Sequence, residues 1–175
     1  MKLISYRELA LRWALREAKR GVREKGGNNR GPDVEKYQRA TWLSGTGWPW
    51  CMAFVVWCFR QAGYDIRRTA GVEDFDTWAR SEGTQVDRPL RGDVVLFDLD
   101  GDGKYDDHTG FVVRCLSIRI AGSWLLRTVE GNTSSGEAGS QSDGDGVFVR
   151  TRLVRKSRVH FVRLKGVRPK PSVLP

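Results

Sequence analysis

Apolar residues recur every three or four positions near the start of the chain, at Tyr6, Leu9, Ala10, Trp13, Ala14 and Ala18. That spacing predicts an amphipathic helix. Ser5 and Glu8 stand where a capping box opens such a helix, and Gly21 stands where it ends. A turn-rich stretch, Gly26–Gly31, leads to a second helix with Pro32 at its first position. Asp33 and Glu35 fall in its first turn, where the helix dipole favours acids. After the loop Gly45-Thr46-Gly47 a third helix is expected to start at Pro49 and to run through Cys51–Ala62, stopping at Gly63. Its segment Met52–Phe59 is apolar nearly all round, which makes it a central, buried helix. A short fourth helix is expected over Glu73–Arg80, ending at Gly83.

The second half changes period. Val94–Phe97, Phe111–Ile120, Trp124–Val129, Val147–Val154 and Val159–Leu164 are β-rich runs separated by Gly, Asp and Ser clusters. The gaps between them are too short for crossover helices, so the sheet is expected to be antiparallel. Helices followed by a meander give an α+β fold, with N-terminal helices packed on a five- to six-stranded antiparallel sheet. Residues 1–165 are expected to form one domain, and 166–175 a flexible basic tail.

Composition narrows the class. At 39% hydrophobic, with seven Trp and seven Phe, the 175 residues carry a real core, which excludes a disordered chain. The apolar run Met52–Phe59 has eight residues, against the roughly 18 needed to span a bilayer. No membrane span is expected. Arg7 and Glu8 arrive before any apolar stretch long enough for a secretion signal, so the chain is expected to be made in the cytoplasm. Thirty Lys+Arg against 21 Asp+Glu give a net charge of +9, which raises the local concentration of anionic polymers. The basic runs Arg16–Arg23, Arg67-Arg68, Arg150–Arg158 and Arg163–Lys170 also read more plainly as a solvated face. Nothing in the sequence demands more than a monomer.

The three cysteines cannot all pair. If Cys51 and Cys58 share a helix, their Cα atoms lie roughly 10 Å apart, beyond the ~7 Å a disulfide tolerates. Cys51, at the first turn of the buried helix, meets unpaired N–H groups and a partial positive charge that favour an anion. The same amides can face an oxyanion on an attacked carbonyl. The plainer alternative is a buried structural cysteine, which is how Cys58 and Cys115 read, mid-helix and mid-strand. A nucleophilic cysteine needs a base. His160 lies inside the last strand and reads as a packed side chain, whereas His108 ends a Gly/Asp loop and opens a strand. In Thr128-Val129-Glu130-Gly131-Asn132-Thr133 the strand period sends Glu130 and Asn132 to one face. That strand pairs with the His108 strand as a hairpin through Ala121-Gly122-Ser123, so either residue is placed to orient the imidazole. Trp48 and Trp50 flank Cys51, and one of the two is expected to line a groove.

The loop Asp98-Leu99-Asp100-Gly101-Asp102-Gly103-Lys104-Tyr105-Asp106 opens like a calcium loop, but Thr109 stands where the bidentate Glu belongs. A weaker single Ca²⁺ site at Asp98, Asp100, Asp102 and Asp106 and a simple Asp/Gly turn remain as alternatives. A bound ion would brace the loop that presents His108, while the chemistry itself needs no cofactor. Ser142-Asp143-Gly144-Asp145-Gly146 reads as a hairpin turn.

Pro49-Trp50-Cys51-Met52-Ala53-Phe54-Val55, Gly92–Asp98, Asp107–Val112 and Val129–Thr133 follow one another in an order that resembles the CHAP family. These are cysteine, histidine-dependent amidohydrolases/peptidases of the papain-like superfamily. Gly27–Pro32 and Phe59–Gly63 resemble bacterial and phage members, and the likeness covers roughly residues 20 to 165. It implies Cys51 as nucleophile, His108 as general base and Glu130 as orienting residue, with Asn132 assisting or replacing it. It further implies substrate contacts at Asn29, Trp48 and Trp50. The implied activity is cleavage of an amide bond in peptidoglycan, as an N-acetylmuramoyl-L-alanine amidase or a stem-peptide or cross-bridge endopeptidase. With no wall-binding domain and no export signal in the sequence, a phage endolysin freed by a holin, or a delivered effector, fits best. The alternatives are a non-catalytic basic module for an anionic polymer and a papain-like protease of protein substrates. Nucleic acid is not expected as a partner.

Overall fold

The computed structural model describes residues 2–117, 121–135, 144–171 and 173–175. Strand β1 (Leu3–Ser5) runs directly into helix α1 (Tyr6–Arg20). Ser5 Oγ accepts the Glu8 N–H at 3.3 Å, and Gly21 closes the helix in the left-handed conformation, φ 67°. The reciprocal half of the capping box does not form. The Glu8 carboxylate takes Arg12 at 3.0 Å and Arg91 at 2.9 Å instead, because charged donors outbid a backbone amide. Helix α2 (Pro32–Gln38) starts at the expected proline. Helix α3 (Cys51–Gln61) begins two residues later than Pro49 suggests, since Trp50 takes the non-helical cap position at φ −121°, ψ 14°. Helix α4 (Val72–Ser81) completes the helical half.

The sheet contains β2 (Gln85–Val86), β3 (Val94–Phe97), β4 (His108–Ser117), β5 (Ser123–Thr133), β6 (Gly146–Arg155) and β7 (Val159–Val162). All neighbours are antiparallel, in the order β2-β7-β3-β4-β5-β6. The fold is therefore α+β with a six-stranded antiparallel sheet. It departs from a plain meander at its end: β7 crosses back and lies between β2 and β3. A buried ion cluster fastens that return. Asp93, just before β3, receives Arg163, just after β7, and Arg7 of α1, each at 2.7 Å.

The segment after 166, expected to be loose, carries strand β8 (Val167–Pro169), which pairs with β1 through Leu3↔Pro169 and Ser5↔Val167. Leu174 packs on the core beyond it. Strand β4 starts three residues earlier than its apolar run, at His108, and residues 118–120 of that run lie outside the described residues. So do residues 142 and 143 of the Ser142–Gly146 turn.

Alternation divides the sheet into two faces. Val94 and Leu96 point into the main core, built on α1, α3 and Phe111, while Val95 and Phe97 join Val112, Trp124, Leu126, Val159 and Phe161 in a second, smaller cluster. As expected, α3 is central: Met52–Val56, Cys58 and Phe59 are all buried. Strand β6 breaks the expected pattern. Its apolar Val149 and Leu153 are exposed while Arg150 is buried, so part of the basic run Arg150–Arg158 is interior rather than a solvated face. Among the described residues no helix is long and apolar enough to cross a membrane. All three cysteines are free thiols.

Candidate active site

Cys51 is the first residue of α3 and only 6% exposed. The Phe54 N–H bonds the Trp50 carbonyl at 2.9 Å, and no side chain caps this helix start. The amides of the first turn are therefore left aimed outward beside the sulfur. A glycine brings the helix and the sheet together. A Cβ on Gly131 of β5 would lie 2.8 Å from both Phe54 Cγ and Trp50 Cζ3, so only glycine lets α3 approach that strand.

His108, first residue of β4, is fully buried and stacks on Phe97 with ring centroids 5.9 Å apart. Its Nε2–H donates to Glu130 Oε2 at 3.0 Å. Nδ1 is buried and makes no hydrogen bond, and the Cys51 thiol is the other side chain close enough to act on the ring's charge. Burial alone would lower the imidazole pKa. The Cys51 thiol and the Glu130 carboxylate more than reverse this and raise it to about 9.

Glu130 is equally buried, yet it is held ionised. Burial would raise its pKa, but the His108 and Arg152 side chains bring it down to about 2. Its two oxygens collect four donors. Oε1 accepts Thr128 Oγ1–H and, at 3.0 Å, Arg152 Nε–H; Oε2 accepts His108 and a second Arg152 N–H. Of the two candidate orienting residues, Glu130 is thus the one on the imidazole. Asn132 does not share its face in the simple way a strand period implies. It sits at φ 57°, where a register shift interrupts the pairing of β5 with β6, and its carbonyl accepts the Gly144 N–H at 3.1 Å. A left-handed residue resets the alternation, and asparagine adopts that conformation at low cost.

The flanking aromatics divide. Trp50, expected as a possible groove residue, is wholly buried, stacked on Tyr37 and donating its Nε1–H to Glu24 at 2.9 Å. It is a core residue because the short step into α3 turns its ring inward. Trp48 is only half-buried. Asn29 is 5% exposed at φ 57°, and its carbonyl is tied by Gln38 Nε2–H at 3.2 Å. The same amide donates to the Trp48 carbonyl at 2.7 Å, so Gln38 fastens the Asn29 loop to the segment leading into Cys51.

Sequence reasoning passed over Gln38, Thr128 and Arg152. The signal for Gln38 was a polar residue one turn after Val34 on the apolar face of its helix. His160 stays apart from the site. It stacks on Tyr105 at 3.4 Å and lines a cavity of about 270 Å³ with Gln85, Trp124 and Lys156, which contains neither Cys51 nor His108.

The acidic loop regroups relative to expectation. Asp98, Asp100 and Asp107 bring carboxylate oxygens within 4.8 Å of one another. Asp102 instead pairs with Lys104 at 2.9 Å, and neither it nor Asp106 joins the group. The exchange has a local cause: Asp107 accepts the N–H groups of Leu99 and Asp100, at 2.6 and 3.1 Å, which folds it over the start of the loop. Arg158 lies against Gly101 and donates to Asp98 at 3.1 Å. These three carboxylates are the group that could hold a cation, and Asp98, the buried one, already answers Arg158.

The family model of the CHAP domain matches residues 43–132. No curated protein and no solved structure matches the chain. The matched segment is more than half of the sequence and runs from the approach to α3 through Cys51, His108 and Glu130 to Asn132. The chain belongs to the CHAP family and is a cysteine-dependent hydrolase.

Proposed function

We propose that the chain hydrolyses an amide bond of peptidoglycan, as an N-acetylmuramoyl-L-alanine amidase or an endopeptidase of the stem peptide or cross-bridge, in the manner of a phage endolysin. The observation that carries this reading is the imidazole of His108, buried with the Glu130 carboxylate on Nε2 and the Cys51 thiol close enough to act on its charge. A net charge of +9 suits an approach to an anionic wall, and the segment leading into Cys51 is fastened to the Asn29 loop through Gln38.

In this mechanism the Cys51 thiolate attacks the amide carbonyl, and the resulting oxyanion is received by the outward-facing amides at the start of α3. The imidazolium of His108 gives its Nδ1 proton to the leaving amine as the C–N bond breaks, leaving a thioester on Cys51. His108, now neutral, takes a proton from water. The hydroxide formed attacks the thioester, the C–S bond breaks, and the thiolate–imidazolium pair is restored. Glu130 keeps the ring oriented throughout and stabilises the imidazolium whenever it is charged, without itself taking the proton. Asn132 shapes the strand end next to it.

Purified sacculi provide the test. Turbidity should fall with the wild type, and mass spectrometry of the products should show new amine and carboxyl ends that name the bond. Cys51→Ala and His108→Ala, and iodoacetamide-treated wild type, should leave sacculi intact while circular dichroism is unchanged. Lysis by Cys51→Ala would overturn the proposal. Cleavage of casein with sacculi untouched would replace it with a protease of protein substrates.

A further inference from the structure

Glu130 has more partners than an orienting carboxylate needs. One N–H from His108 would fix the ring, yet Arg152 of β6 also reaches across from the neighbouring strand and meets both oxygens of the same carboxylate. Arg152 is not a surface cation that happens to fall nearby. Its side chain is 10% exposed, and its guanidinium lies 5.5 Å from the Phe97 ring, the same ring on which His108 stacks. Phe97 therefore lies against both of the cationic groups that share this one anion. Strand β6 turns Arg152 inward at the expense of exposing Leu153 and Val149, an inversion of the usual alternation. A strand that gives up apolar burial to bring a guanidinium to a buried carboxylate is placing that guanidinium.

On the reading of Cys51 and His108 proposed above, we infer that Arg152 is a positioning residue for the reaction: by sharing the Glu130 carboxylate with His108, it sets how firmly the imidazole holds its proton. A lone buried carboxylate beside an imidazolium would grip the proton tightly, and a tight grip slows its delivery to the leaving amine. Arg152 withdraws part of that negative charge while pinning the carboxylate in place. Thr128, bonded to Oε1, is the second anchor, so Glu130 stays at the imidazole when Arg152 is removed. The groups that act on His108 are Cys51 from α3 and Glu130 from β5, with Arg152 from β6 acting through Glu130.

The inference has a signature that a purely structural role lacks. Removing Arg152 and removing the Glu130 charge should move the His108 titration in opposite directions. The midpoint, followed by NMR of the imidazole carbon-bound protons, should rise in Arg152→Gln by about half a unit to one unit. It should fall in Glu130→Gln and stay near the wild type in Arg152→Lys. With sacculi as substrate, Arg152→Gln should lose roughly tenfold or more in kcat with KM little changed, and Arg152→Lys should recover much of it. A midpoint that is unchanged or lower in a folded Arg152→Gln protein overturns the inference. The titrations require no turnover, so an inactive wild type counts against the proposed activity, while the opposed shifts decide the role of Arg152 separately.

Discussion

Gly110 lies against Glu130 so closely that a Cβ at position 110 would stand 2.6 Å from Glu130 Cγ and 2.8 Å from the Val129 carbonyl. The backbone of Gly110 is ordinary strand, so the requirement is for space and not for an unusual φ. That space lets the Glu130 side chain cross β4 to reach the imidazole of His108, two residues earlier on the same strand.

Gly110→Ala should therefore act on the site before it acts on the fold. The added methyl displaces Glu130, and overpacking of this kind costs about 1–3 kcal/mol. Hydrolysis should drop at least about tenfold, and the His108 titration should move down from about 9 towards its ordinary value. Activity on sacculi and NMR titration measure the two effects. Wild-type values for both would mean that Glu130 reaches His108 by another path.

Asn132 makes a distinct prediction because its backbone, at φ 57°, is one glycine adopts freely. Asn132→Gly should keep the bend at the end of β5 and most of the stability. Asn132→Ala should lose about 1 kcal/mol or more, since a β-carbon disfavours the left-handed region. Denaturant midpoints check the order. If Asn132→Gly also loses hydrolysis with its stability intact, the side chain itself takes part in the reaction.

Gln38 is buried, and its one amide group serves the carbonyls of Trp48 and Asn29. Gln38→Leu leaves both carbonyls without this donor, at about 1–3 kcal/mol for each buried group. The melting temperature should fall by several degrees. Because the tie joins the Asn29 loop to the residues entering α3, KM for sacculi should also rise. An unchanged KM would confine Gln38 to stability.

The chemistry of this site was legible wherever a local break marked it. Cys51 follows Pro49 at the head of an apolar helix, and His108 follows an Asp/Gly loop at the head of an apolar strand. Each is announced by its immediate neighbours. Glu130 and Asn132 were not separable, because the period of two that placed them on one face fails at a left-handed residue no pattern reveals. Arg152 was hidden for a different reason. In Val149–Leu153 Arg150 and Arg152 alternate with Val149, Thr151 and Leu153, so either set can face inward, and the choice is made by Glu130 on the adjacent strand. Long-range pairing was also out of reach: β1 and β8 are three residues each, too short to leave a period, and they form because they meet. The same holds for β7, whose return beside β3 is fastened by Asp93 and Arg163, seventy positions apart.

The acidic loop yields a prediction about cations. Asp98 is buried and its charge is answered by Arg158 from the 3-10 turn before β7. Chelation with EDTA should leave the melting temperature and hydrolysis of the wild type unchanged. Arg158→Gln removes the internal cation and leaves Asp98, Asp100 and Asp107 facing one another, so that protein should melt lower and should regain stability in millimolar Ca²⁺. Thermal melts with and without the ion test both halves. A wild type stabilised by Ca²⁺ would show that the three carboxylates recruit further oxygens.

The buried pair also makes stability depend on pH, and the two partners set opposite limits. Glu130 has its pKa lowered from 4.5 to about 2 in the folded protein. The stability it contributes is present in full above 4.5 and is lost as pH falls through about 2. His108 has its pKa raised from 6.5 to about 9. Its contribution is present in full below 6.5 and is lost as pH rises through about 9. The pair should therefore contribute most between pH 4.5 and 6.5, with the melting temperature declining on the alkaline side between 6.5 and 9. That decline comes from the imidazolium losing its proton beside a carboxylate that stays charged. His108→Gln should melt lower at pH 6 and show a flatter alkaline limb, while Glu130→Gln should flatten both limbs. Scanning calorimetry from about pH 2 to about 9.5 on the three proteins makes the comparison. An alkaline limb equally steep in His108→Gln would assign the decline to other groups and remove the charged pair as its cause.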